Sequence, residues 1–177
     1  VVSPDRIYWW ILGISLAMVL YTRLALLGIP LERDEGGFAY IGQHLLGSQL
    51  LYTDVFDNKL PGLYLMYWVF SLLPGSQGAN IHLGLLLVQA GTLALFFPWM
   101  RKMFGLPVAA IATSLFAVSA LMPGVFGFAV HATQLMMLPV VGGLGLLWNY
   151  TRAPESGRWW RLAGSTATSA CANCSVR

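Results

Sequence analysis

In this chain of 177 residues 57% are hydrophobic and only 10% charged, with a mean hydropathy of +0.67, whereas about a quarter of residues are charged in soluble domains. That composition indicates a membrane protein. The net charge of +3 does not point to nucleic acid, because the ten basic residues are scattered at the ends of apolar segments rather than gathered on one face. Two cysteines, Cys171 and Cys174, cannot make a disulfide framework, and without a partner pair they are half of a zinc site at most.

The first apolar run, residues 7–29, is long enough to span as a helix. It follows Arg6 as a signal peptide would, but no small-x-small cleavage site follows it, so it reads as an anchor. Arg23 falls within two turns of the end of this run, where a long basic side chain is expected to snorkel to the interface.

Next comes a polar island, from Glu32-Arg33-Asp34-Glu35 to Asp57-Asn58-Lys59, that holds seven of the seventeen charged residues. Asp34 is expected to cap a surface helix over 35–46. Glu35 would lie in its first turn, Phe38, Ile41 and Leu45 on one apolar face, and Gly47 at its stop. The helix dipole favours negative charge at that N-terminus, so Asp34 and Glu35 are expected to be ionised. Asp54 and Asp57 either cap turns around Asn58 or meet a substrate.

Residues 60–73, between Pro61-Gly62 and Pro74-Gly75, are too few to span and predict an interfacial or re-entrant helix. Three further spans are expected, at 81–100, 106–122 and 125–148, the last carrying Pro139. Arg101-Lys102 and the cluster Arg152, Arg158 and Arg161 then fall on the side of the N-terminus, and the positive-inside rule makes that side cytoplasmic. The acidic island faces outward, and the Asn149 sequon falls at the cytoplasmic end, where glycosylation is not expected.

Among the other polar residues, His44 reads as solvated and His82 as interfacial, while His131 lies in the second outer loop on the side of Asp34. Tyr8, Trp9, Trp10 and Trp99 fit an aromatic belt. Tyr40, Tyr52 and Tyr64 lie closer to the island, where a sugar could stack.

The fold class that follows is all-α, a polytopic transmembrane helix bundle whose extracytoplasmic first loop carries amphipathic interfacial helices. Residues 1–150 form its membrane part and 151–177 a cytoplasmic tail. After Arg161 the run Thr166 to Ser175 loses apolar periodicity, as a truncated or out-of-frame reading frame would.

The run Arg33-Asp34-Glu35-Gly36-Gly37-Phe38-Ala39-Tyr40-Ile41, followed by Tyr52-Thr53-Asp54-Val55-Phe56-Asp57-Asn58-Lys59-Leu60-Pro61-Gly62, resembles the N-terminal part of the glycosyltransferase-C membrane enzymes. The closest likeness is to protein mannosyltransferases, the aminoarabinose transferase of lipid A and lipopolysaccharide-core transferases. It covers about residues 7–150. The resemblance implies transfer of a sugar from a polyprenyl-phosphate carrier to a hydroxyl on a glycan, lipid or protein acceptor, at the outer face of the bilayer.

By the same resemblance Asp34 matches the catalytic first-loop acid, Glu35 its neighbour, and Lys59 the basic residue that meets the carrier phosphate. Asp57, Asn58, Tyr40, His131 and Gln134 would help bind substrate. No cofactor is identified with certainty, and a divalent cation fits some members of that family. Gln134 stands where a second acid is expected; it can hydrogen-bond a sugar but cannot take a proton. Four spans against more than ten make the chain read as the front third of such an enzyme. The alternative is a small four-span carrier or assembly protein whose acidic loop binds a cation or a partner.

Overall fold

The computed structural model describes residues 4–45, 52–53, 57–125 and 127–152. The expectations placed on Gly47, Asp54, Arg158, Arg161, Cys171 and Cys174 lie outside these residues. Among the described residues the fold is all-helical, with no strand. In chain order the helices are α1 (Pro4–Ala25), α2 (Arg33–His44), α3 (Pro61–Ser71), α4 (Gln77–Phe104), α5 (Leu106–Ser119), α6 (Ala132–Leu135) and α7 (Met137–Arg152).

Three helical stretches, Asp5–Ala25, Gln77–Phe104 and Ala132–Thr151, are long and apolar enough to cross a membrane. Their outward faces carry large apolar side chains such as Ile14 and Leu146, which are 65% and 73% exposed. Such faces match a lipid surround, since a water-soluble protein seldom leaves contiguous apolar surface open. The expected span at 106–122 forms a helix of only 14 residues. At about 1.5 Å per residue it reaches about 21 Å, short of the roughly 30 Å hydrocarbon core.

The expected span at 125–148 also differs from the observed chain. Residues 123–125 form a 3-10 turn, and continuous helix resumes only after Val130. The cause is that the Val130 backbone bonds to side chains of other elements instead of to a helical turn. Pro139 consequently stands in the first turn of α7, where its missing N–H costs nothing.

Contacts at the helix ends fix how the elements run. Arg101 lies over the Trp9 ring at 5.7 Å from its centroid, and Lys102 Nζ donates to Asn149 Oδ1 at 2.6 Å. The start of α1 and the ends of α4 and α7 therefore share one end of the bundle. A tight turn at Gly105, with φ of +83°, sends α5 back toward the other end, and glycine adopts that backbone at no steric cost. At the far end Arg23 of α1 donates to Ala120 O just past α5. Basic Arg6, Arg101 and Lys102 thus lie at one end, and acidic Glu32, Asp34, Glu35 and Asp57 in the chain that emerges at the other.

At that second end α2 and α3 form a helical layer against the projecting half of α4. Their shared core contains Phe38, Ile41, Tyr64, Tyr67, Phe70, Ile81 and Leu85. The apolar face of α2 therefore rests on protein. The approach of α2 to α3 is close at Gly42, where a Cβ would stand 2.8 Å from Tyr64 O and 3.0 Å from Trp68 N. Only a residue without a side chain fits there.

Candidate functional site

The polar island is organised by Glu35, not by the cap expected at Asp34. Glu32 is the N-cap of α2: its side chain accepts from Asp34 N at 3.2 Å, while Glu35 Oε2 accepts from Glu32 N at 2.8 Å. This is reciprocal capping, with two orphan N–H groups of the first turn satisfied. Helix α2 starts two residues earlier than expected as a result, and Asp34 becomes a first-turn residue.

Glu35 is 3% exposed, and its other oxygen reaches across the fold. Oε1 accepts the backbone N–H of Val130 and lies 3.6 Å from His82 Nε2 on α4. Burial by itself pushes the Glu35 carboxyl up. The His82 imidazole and the N–H groups of Val130 and Glu32 outweigh it, holding the carboxyl below the ordinary glutamate value of 4.5. Tyr67 of α3 donates its hydroxyl to Val130 O, so one buried residue is gripped at both its N–H and its C=O. Burial raises the Tyr67 phenol, and the carboxylates of Glu35, Glu32 and Asp34 raise it further. It remains a neutral donor.

The remaining candidates surround this clamp. Asp34 is half-exposed, with its carboxylate 3.7 Å from Arg33 Nε. His131 follows Val130 directly and its Nδ1 lies 3.3 Å from Thr133 Oγ1. Gln134 sits on α6 with its N–H donating to His131 O at 2.9 Å. Asp57 accepts from the N–H of the exposed Asn58 at 2.6 Å, and the Lys59 carbonyl accepts from the Tyr52 hydroxyl. The Asp57 turn lies near Tyr64 of α3. Burial and then the Asp57 carboxylate push its phenol up, and its ring meets Phe38 of α2 edge-on at 6.1 Å. Tyr40 points the other way: it is exposed and stacks on His44 at 4.3 Å.

Glu35 and the segment at Val130-His131 are thus brought to one locus, Asp34 flanks it, and Asp57 lies near Tyr64, which packs on Phe38 of the same helix as Glu35. No group of three or more His, Cys, Asp or Glu converges to hold a metal ion among the described residues.

A second polar cluster lies inside the bundle. Arg23, expected to snorkel, is 4% exposed; its Nε donates to Gln89 Oε1 at 2.8 Å and its Nη2 to Ala120 O at 3.1 Å. The reason is geometric: α4 and the end of α5 present carbonyl oxygens to the guanidinium before it reaches the helix end. Arg23, His82 and Gln89 are among the buried polar residues that the island alone did not reveal, with Asn80, Thr92, Thr113 and Ser114.

Comparison of the chain with protein-family models, with characterised proteins and with solved structures finds no match.

Proposed function

We propose that this chain is the membrane part of a glycosyltransferase that moves a sugar from a polyprenyl-phosphate carrier to a hydroxyl acceptor at the outer face of a cell membrane. The observation that carries this reading is the division of labour between neighbouring acids. Glu35 is consumed by the clamp that fixes the first loop against the second, and Asp34, one residue away, keeps an accessible carboxylate on a rigid helix N-terminus. The resemblance of the Asp34-Glu35 and Asp57-Asn58-Lys59-Leu60-Pro61-Gly62 runs to the glycosyltransferase-C enzymes gives that carboxylate its chemistry.

In the proposed reaction Asp34 accepts the proton of the acceptor hydroxyl as its oxygen attacks the anomeric carbon. The bond from that carbon to the phosphate oxygen breaks, and the polyprenyl phosphate leaves with the bonding electrons. Lys59 meets the charge on the departing phosphate as a compact cation. Glu35 is a positioning residue. The basic end of the bundle is cytoplasmic by the positive-inside rule, which puts the clamp and Asp34 outside.

Donor binding tests the reading. The full chain in nanodiscs is expected to retain a radiolabelled polyprenyl-phosphate sugar, and Lys59→Met to weaken that retention about tenfold, the contribution of one charge-assisted contact. Equal retention by both proteins would remove Lys59 from the site. The second reading, a carrier or assembly protein, draws on Arg23, a charge buried within a span among neutral partners.

A further inference from the structure

Between α1, α4 and α5 lies an apolar slot of about 430 Å³, lined among others by Leu12, Leu16, Gln89, Leu93, Phe97 and Thr113. Its size falls within the range of about 300–1,000 Å³ typical of small-molecule sites. One end is closed by Trp9, whose ring packs against Phe97 at 5.6 Å under Arg101. The lining runs along α1 from Trp9 to Leu20, a length of about 16 Å at 1.5 Å per residue.

The two unpartnered polar groups in this slot can both donate. Gln89 Oε1 accepts from Arg23, and because a guanidinium only donates, the amide orientation is settled and Nε2 is left as the group facing elsewhere. Gln89 Nε2 and Thr113 Oγ1 are buried without a hydrogen-bond partner, in residues 6% and 1% exposed. Among the described residues no carboxylate lies within ion-pair distance of Arg23. A buried guanidinium whose acceptors, Gln89 Oε1 and Ala120 O, are both neutral, and an amide NH₂ and a hydroxyl that have no partner, are costly in an apolar bundle. An anion bearing oxygen acceptors satisfies all three.

We infer that the slot binds a single-chain amphiphile with a carboxylate head, its oxygens accepting from Gln89 Nε2 and Thr113 Oγ1 in the field of Arg23 and its alkyl chain lying against Leu12, Leu16 and Leu93. A planar carboxylate offers two oxygens to the two donors that line the slot. The slot's length matches an extended chain of about a dozen methylenes with C–C bonds of about 1.5 Å. This site is separate from the clamp, since Gln89 lies seven residues beyond His82 on α4, about 10 Å along the helix.

The test uses the full chain in phosphatidylcholine nanodiscs with a diazirine-bearing tetradecanoate and the matching alcohol, photolysed and mapped by peptide mass spectrometry. The carboxylate is expected to label slot residues such as Leu12, Leu16 and Leu93 about tenfold more than the alcohol does, the contribution of one hydrogen bond to a charged group. Unlabelled tetradecanoate should compete and butyrate should not. Thr113→Val, which keeps the shape of the side chain, and Gln89→Leu should each erode the preference for the carboxylate with the fold intact by circular dichroism. Equal labelling by acid and alcohol, or adducts spread over the outward face at Leu146, overturns the proposal. Stronger competition by tetradecyl phosphate than by tetradecanoate overturns the carboxylate assignment.

Discussion

Glu35 and Tyr67 hold the same residue: Val130 donates its N–H to the Glu35 carboxylate and accepts the Tyr67 hydroxyl at its carbonyl. Val130 is fully buried, so neither backbone group can turn to water instead. Two side chains from the segment between α1 and α4 thereby fix the position of the segment between α5 and α6.

Removing either grip leaves a buried polar group unpaired. Tyr67→Phe is expected to cost about 1–3 kcal/mol, and Glu35→Ala about 3 kcal/mol or more because the N–H groups of Val130 and Glu32 lose their acceptor together and buried His82 loses its neighbouring carboxylate. Apparent melting temperatures in detergent micelles check both. The double variant should fall short of the sum, since each change already frees Val130.

The Glu35 carboxyl also sets a pH dependence. Its folded value lies below the ordinary 4.5, so the unfolded chain binds the proton more readily. Stability from this group is complete above pH 4.5 and is lost as the pH falls through the folded value. A melting series from neutral to acid pH should show this decline in the wild-type protein and a shallower one in Glu35→Gln.

Packing between α2 and α3 is checked at Gly42. A methyl group there meets Tyr64 O and Trp68 N, backbone atoms that cannot swing aside. Gly42→Ala is expected to cost about 1–3 kcal/mol through overpacking. Gly37→Ala on the exposed face of the same helix meets no atom within 4 Å and should be neutral or slightly stabilising.

Much of this architecture was legible in the chain. The apolar runs gave α1 and α4, and the Pro61-Gly62 start with the short run after it gave α3, as a proline in the first turn of a helix allows. The spacing of Phe38 and Ile41 gave the buried face of α2. What stayed hidden depends on contacts far apart in sequence. Glu35 and Val130 are 95 residues apart, so nothing local marked the interruption of the expected span at 125–148. Arg23 illustrates the same point, since burial replaced snorkelling once Gln89, 66 residues on, supplied an acceptor. A partial signal did exist: His82, Gln89 and Thr92 fall on one face of α4 with Leu85, a polar stripe in an apolar helix that reads as buried.

The role given to Asp34 separates from stability. Its pairing with Arg33 is on the surface and contributes little, within about 1 kcal/mol, so Asp34→Asn should melt with the wild-type protein. The decisive measurement is the release of free polyprenyl phosphate from a panel of polyprenyl-phosphate hexoses and pentoses by membranes carrying the full chain or Asp34→Asn. The account predicts release from at least one donor by the wild-type protein and a loss of about a hundredfold or more in the variant, the usual reach of general-base catalysis. Release at an undiminished rate by Asp34→Asn, or none from any donor by the wild-type chain, would contradict it.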